Sequence, residues 1–105
     1  MNNVSTPFQL TGRQIILSAR TTPDEVHRVA QEALGQYDDP TPEDWCMFVL
    51  LTLMGLGITE ETGLIKTTHV VDPDLQYRFI AAILTKLTGV VWRKRSVTGY
   101  EMITS

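Results

Sequence analysis

The feature that most constrains the fold is an apolar run of 14 residues, from Trp45 to Ile58. A helix that crosses a membrane needs about 20 apolar residues, so this run is too short to span a bilayer. A helix that is apolar on every side must instead be covered by protein on more than one side. We therefore expect a central helix that is packed inside the fold or against a partner subunit.

Three proline patterns indicate where helices begin. In each, a residue with a side-chain oxygen precedes a proline, and acidic residues follow: Thr22-Pro23, Thr41-Pro42 and Asp72-Pro73. Proline suits the first helical position, and the preceding oxygen accepts hydrogen bonds from the free amides of the first turn. Glu25, three residues after Thr22, predicts a capping box. The predicted helices run from about Pro23 to Tyr37, Pro42 to Leu56 and Pro73 to Thr88.

The segment between the second and the last of these helices carries two patterns. Thr59, followed by two glutamates, predicts a short third helix from Thr59 to Ile65 with Thr59 as its cap. The residues from Leu64 to Val71 are rich in β-branched side chains, which favours an extended conformation. We expect a short helix that is followed by extended chain.

The C-terminal part of the chain is typical of a β-hairpin. Gly89 favours a left-handed cap at the end of the last helix. Two segments rich in strand-forming residues then flank Thr98-Gly99, namely Val90–Val97 and Tyr100–Ile103. The pattern predicts two antiparallel strands with a turn at Thr98-Gly99.

The N-terminal part is ambiguous between strand and helix. The segment from Phe8 to Ala19 fits a strand centred on Ile15 to Leu17, or a short helix capped by Thr11, which we slightly favour. Residues 1–7 are expected to form a flexible arm. Since no basic residue precedes an apolar stretch there, we expect no signal peptide.

Length and composition predict a single domain over residues 1–105. The expected fold is mainly α (α+β), with three to five helices around the apolar central helix and a C-terminal β-hairpin. The single cysteine, Cys46, excludes an intrachain disulfide and a cysteine-based zinc site. It favours a reducing, cytoplasmic compartment, and we expect no membrane association.

The residues that could carry catalysis all have simpler structural roles. Cys46 lies among large apolar neighbours, which predicts a packed core thiol. His27 and His69 have no carboxylate or cysteine at metal-ligand spacing. The acidic pairs Asp38-Asp39 and Glu60-Glu61 flank helix ends. We therefore predict no enzyme activity, catalytic residue, metal, cofactor or small-molecule substrate.

Charge is distributed unevenly along the chain. Residues 1–75 carry four basic and eleven acidic side chains, whereas residues 76–105 carry five basic side chains and one acid, Glu101. The two parts therefore have net charges of −7 and +4. Such asymmetry indicates an anionic partner for the basic end, or a second copy that docks its acidic body there.

The basic end contains a cluster that suits an anionic polymer. Arg93, Lys94 and Arg95 follow Trp92 directly, and Tyr100 lies nearby. Cations can bind phosphates and aromatic faces can stack on bases. The same pattern also fits a solvated edge strand, whose charges discourage aggregation.

The predicted order of helix, short helix, longer helix and basic hairpin resembles that of a winged helix-turn-helix. This resemblance implies that the longer helix lies in the major groove, with its start at the base edges. Asp72 and Asp74 at that start would repel phosphate. The candidate nucleic-acid-binding residues are Gln76, Arg78, Lys86, Trp92, Arg93, Lys94 and Arg95.

Two functions therefore remain as hypotheses. The first is a non-enzymatic binding module, most simply a small nucleic-acid-binding or regulatory protein that uses the basic hairpin. The alternative is a virus- or phage-encoded structural or assembly protein, such as a capsid, nucleocapsid or adaptor subunit. It would self-associate through its apolar helix and its oppositely charged ends. The expected partners are nucleic acid or an acidic protein surface, with homo-oligomerisation.

Overall fold

The computed structural model describes residues 9–11, 14–16 and 22–103. These residues form four helices and two antiparallel strand pairs, so the expected mainly α fold with a small β part is confirmed. The predicted arm at residues 1–7 lies outside the described residues. The elements are β1 (Gln9–Thr11), β2 (Gln14–Ile16), α1 (Pro23–Leu34), α2 (Pro42–Gly55), α3 (Glu61–Val71), α4 (Tyr77–Lys86), β3 (Trp92–Lys94) and β4 (Tyr100–Met102).

The N-terminal segment forms strands where it is described. β1 and β2 pair antiparallel, with Leu10 opposite Ile15. The preference for a helix over this segment is therefore wrong in the described residues. Ile15 and Ile16 are β-branched, and the run is too short for periodicity to separate a strand from a helix.

The first two proline patterns begin helices as predicted. Thr22 Oγ1 accepts from the Glu25 amide at 3.3 Å, but the Glu25 carboxylate pairs with Arg28. A reciprocal capping box is present at Thr41, whose hydroxyl and amide both bond to Asp44. α1 ends at Leu34, three residues before the predicted end, because Gly35 follows and glycine is a poor helix former.

The third proline pattern does not begin a helix, so this prediction is wrong. Asp72 instead follows the last residue of α3, and its Oδ1 accepts from the Asp74 amide at 3.0 Å. Its Oδ2 accepts from Trp45 Nε1 at 2.8 Å. This local turn competes with the helix, and α4 begins only at Tyr77.

α3 is the second element that the sequence misplaces. The chain from Leu64 to Val71 is helical and not extended, and Glu60 takes the cap position predicted for Thr59. Leu64, Thr67, Thr68 and Val71 are all buried. Because they recur at helical spacing, they form one face against the core, and this packing overrides the β-propensity of the segment.

α2 is the centre of the core. It packs against α1, α3, α4 and β4. Cys46, Val49, Leu50 and Leu53 are fully buried, and the remaining large apolar side chains of the helix pack against the same cluster. Contacts within one chain thus cover most of the apolar surface of α2 and leave Trp45, Met47, Phe48 and Leu51 half-buried.

The C-terminal hairpin is present, but its turn differs from the prediction. β3 and β4 pair antiparallel, and a five-residue loop, Arg95–Gly99, joins them. The two-residue turn at Thr98-Gly99 is therefore wrong, since the amide of Arg95 donates to the carbonyl of Gly99 at 2.9 Å. Gly89 has the predicted positive φ, 89°, but lies two residues beyond Leu87, the C-cap of α4.

Two kinds of contact fix the hairpin to the helices. The Trp92 side chain is fully buried, and its Nε1 donates to the Leu84 carbonyl of α4 at 2.8 Å. The Tyr100 amide donates to Thr59 O at 2.8 Å, and the Glu61 amide donates to Thr98 O at 2.7 Å. The chain just before α3 therefore lies beside the start of β4, where Glu60 and Gly99 form one isolated antiparallel bridge.

Replacing Trp92 with alanine is expected to destabilise the protein by about 3–5 kcal/mol, because it leaves a large cavity in the core. The free energy of unfolding is measured by chemical denaturation with circular dichroism. Val97 in the same hairpin is 86% exposed, so Val97→Ala should stay within about 0.5 kcal/mol of the wild type. Equal stability of the two variants would contradict the anchoring role of Trp92.

Candidate nucleic-acid interface

The outward face of α4 is the first part of the candidate site. Ile80, Ile83 and Leu84 are buried, which fixes the rotation of the helix about its axis. Arg78, Ala82 and Thr85 recur along the opposite, exposed face, and Gln76 and Tyr77 are exposed at its start. From Tyr77 to Lys86 the helix contains no acidic residue. It therefore presents two positive charges and a row of small side chains.

The turn between α3 and α4 is held by side chains. His69 Nδ1 lies 2.8 Å from the Leu75 carbonyl oxygen. Because a carbonyl oxygen can only accept, Nδ1 carries the proton and donates it. The His69 ring also meets Tyr77 edge to face, with centroids 4.7 Å apart. These contacts fix the start of α4 relative to the end of α3.

Two open concavities flank the start of α4. One, of about 510 Å³, includes Pro42 at the start of α2 and Ala82 in its lining. The other, of about 680 Å³, includes His69 and Tyr77. Arg78 and Gln76 line both, so they lie on the ridge between the two concavities.

Two of the candidate cations form ion pairs. Arg93 Nε lies 2.6 Å from Glu101 Oε2 on the neighbouring strand, and Lys86 Nζ lies 2.8 Å from Glu43 Oε1 at the start of α2. Both pairs are largely exposed, and exposed pairs contribute little to stability. These cations could therefore exchange their carboxylate for a phosphate.

The other two cations of the hairpin are Lys94 and Arg95. Lys94 Nζ donates to Val97 O at 3.1 Å across the loop and lies 5.5 Å from the centre of the Tyr100 ring. The Arg95 side chain is exposed. Among residues 22–103, neither cation is in an ion pair.

Trp92 and Tyr100 are not part of an exposed surface. Trp92 is 0% and Tyr100 3% exposed, so the predicted contact of Trp92 with nucleic acid is wrong. The alternation of a strand explains this, since Arg93 occupies an outward position and its neighbour Trp92 must face inward. The hairpin thus offers cations but not an aromatic stacking surface.

Glu60 and Thr98 are two residues at the site that sequence reasoning missed. Glu60 Oε1 accepts from the Thr98 hydroxyl at 2.5 Å, which links the start of α3 to the basic loop. These residues are 38 positions apart. Because no local pattern connects them, only the fold reveals their contact.

The residues considered for nucleophilic or metal chemistry are Cys46 and the histidines. Burial, followed by the charge of Asp72, raises the pKa of the Cys46 thiol to about 12. The His27 ring packs against Trp45, with centroids 4.8 Å apart. Within the described part of the chain, no group of three metal-ligating side chains occurs, and no helix is long and apolar enough to cross a membrane.

Comparisons with protein-family models, with curated proteins and with solved structures found no match. We therefore group the candidate residues by their positions in this structure, which places them in two clusters. One cluster, at the start of α4, contains Gln76, Tyr77 and Arg78. The other, on the hairpin, contains the cations Arg93, Lys94 and Arg95.

The Cys46 thiol is expected to resist modification in the folded protein. With a pKa of about 12, roughly one thiol in ten thousand is ionised at pH 8, and the side chain is buried. A chromogenic disulfide reagent should therefore react rapidly only after denaturant is added, and Cys46→Ser should give no signal. Equal rates for the folded and denatured chains would contradict the burial of this thiol.

Proposed function

We propose that this chain is a small winged-helix-like module that binds double-stranded DNA, with α4 as its recognition helix and the loop Arg95–Gly99 as its wing. Such a module acts as a regulator or as the DNA-binding part of an assembly. It needs no catalytic group. The described residues supply the exposed cation Arg78 at the start of α4 and three exposed cations on the hairpin, Arg93, Lys94 and Arg95.

The observation that carries this proposal is the connectivity after Pro42. The order is α2, α3, α4, β3 and β4, and Glu60, just before α3, forms one antiparallel bridge with Gly99, just before β4. α3 and α4 are joined by only five residues, 72–76, which agrees with a helix-turn-helix better than the longer connector expected from the sequence. Because α4 begins at Tyr77, Asp72 and Asp74 both lie in the turn before the recognition helix. The Asp72 carboxylate is bonded to Trp45, whereas Asp74 is exposed near Gln76 and Arg78 and opposes phosphate there.

The form of nucleic acid follows from the side chains that are exposed. Burial of Trp92 and Tyr100 leaves the hairpin without an aromatic platform for a single strand, and Tyr77 at the start of α4 is the exposed aromatic side chain of the two clusters. A recognition helix fits the major groove of B-form DNA, whereas the major groove of A-form RNA is too narrow for side chains to read. Duplex DNA is therefore the partner that the geometry favours.

Each cluster has a distinct role in this proposal. Arg78 and Gln76 at the start of α4 can form paired hydrogen bonds with guanine and adenine edges, respectively. Lys94 and Arg95 contact phosphates and position the module without reading sequence. Lys86 and Arg93 add phosphate contacts when they leave Glu43 and Glu101.

The alternative, a self-assembling structural protein, keeps one supporting observation. α2 packs against other elements of its own chain, so its apolar residues do not require a partner subunit. A patch at the base of the hairpin does favour association, since Val90, Met102 and Ile103 are 69%, 38% and 40% exposed. A dimer formed there would also suit a regulator that binds two half-sites.

Removing single cations tests the DNA-binding proposal. Arg78→Ala and Arg95→Ala are each expected to weaken binding to a duplex by about five- to tenfold near 50 mM salt, because each removes a cation that binds the DNA. The slope of log affinity against log salt should fall by about 1 for each phosphate that the variant no longer neutralises. Fluorescence anisotropy with labelled duplex DNA, duplex RNA and single-stranded DNA measures these effects.

Arg28→Ala is the matched control, because it removes the same charge from α1. Arg28 pairs with Glu25 at 2.8 Å and with Glu32 at 3.1 Å, and it belongs to neither cluster. Its affinity should stay within about twofold of the wild type. A wild-type chain that binds no duplex, or whose binding ignores salt, would refute the proposal.

A further inference from the structure

We infer that Glu60 is a positioning residue for the proposed DNA site: its carboxylate strengthens binding by holding the basic loop in shape, although its charge opposes DNA. This inference rests on the proposed function. It adds to the proposed site an acidic residue, Glu60, whose charge is opposite to that of the cations that bind DNA. It follows from the contacts that Glu60 makes with the loop Arg95–Gly99.

Glu60 ties one side of the loop to the helical body. Its carboxylate accepts from the Thr98 hydroxyl at 2.5 Å, and the next amide, that of Glu61, donates to Thr98 O at 2.7 Å. Glu60 and Gly99 also form an isolated antiparallel bridge. The side chain and the backbone therefore hold the same residues of the loop.

Ser96 closes the loop from the other side. Its Oγ accepts from the Gly99 amide at 3.0 Å. A Cβ atom on Gly99 would lie 2.8 Å from Ser96 Oγ and 3.4 Å from Glu60 Oε2. Gly99 thus lies between the Ser96 and Glu60 side chains, and the Glu60 carboxylate packs against the loop.

The shape of this loop determines where its cations lie. The Arg95 amide donates to Gly99 O at 2.9 Å, and Lys94 Nζ donates to Val97 O at 3.1 Å. Arg95 is therefore bonded to Gly99, which Glu60 and Ser96 hold, and Lys94 is bonded to Val97, the residue before Thr98. A loop that is ordered before binding loses less conformational entropy when it meets the phosphates.

Electrostatics alone predicts the opposite effect for Glu60. A carboxylate beside a cationic loop repels phosphate, so its removal should raise affinity. Glu101 provides the matched case, because its carboxylate pairs with Arg93 at 2.6 Å and forms no hydrogen bond with the loop among residues 22–103. Comparing variants of Glu60 and Glu101 therefore separates the effect of the hydrogen bond to the loop from the effect of the negative charge.

Three variants test the inference in the full chain. Glu60→Ala should bind duplex DNA about three- to tenfold more weakly than the wild type, the scale of one missing hydrogen bond. Glu60→Gln keeps an oxygen that can accept from the Thr98 hydroxyl and loses the charge, so it should bind at least as tightly as the wild type. Glu101→Gln should bind about two- to fivefold more tightly.

A second readout follows the loop without DNA. Hydrogen exchange at the Arg95 and Gly99 amides should be faster in Glu60→Ala than in the wild type, and restored in Glu60→Gln. Thermal unfolding verifies that all variants are folded.

If the wild type binds duplex DNA and Glu60→Ala binds it more tightly than the wild type, then Glu60 acts only through its charge, as is expected for Glu101. The positioning role is then wrong. A wild type that binds no duplex overturns the proposed function and this role together.

Discussion

The burial of α2 is the constraint on which the rest of the structure depends. Beyond its first turn this helix has no polar face, so most of its surface must be removed from water. α1, α3, α4 and β4 cover most of it and leave Trp45, Met47, Phe48 and Leu51 half-buried. The polar and charged faces of those elements are then left outside, and they include Arg78 and the cations of the hairpin.

The hairpin depends on the same core through a single large side chain. Trp92 fills space beside α4 and donates to the Leu84 carbonyl, while the strand alternation turns Arg93 outward. On the other side of the hairpin, the Thr59 carbonyl and the Glu61 amide bond to Tyr100 and Thr98. The same strand geometry therefore buries Trp92 and exposes Arg93. A change that loosens the hairpin would also displace its cations.

The parts of the fold that the sequence predicts are those with local causes. Thr41 caps α2 through residues within one turn, and the apolar run requires that helix to be central. The misplaced parts have distant causes: Asp72 is held by Trp45, 27 positions away, and α3 is helical through Val71 because its buried face packs on the core. At the candidate site, the sequence located the cations but assigned Trp92 to the surface, and it could not connect Glu60 with the loop.

The proposal that most needs a test is that the start of α4 and the basic loop both contact duplex DNA. Its most direct test is titration of the isotopically labelled chain with a short duplex, followed by NMR of the backbone amides. We expect shift changes concentrated at residues 76–86 and 93–99, with α1 unchanged, and their loss at high salt. Changes centred on α1, or none at any duplex concentration, would refute this binding mode.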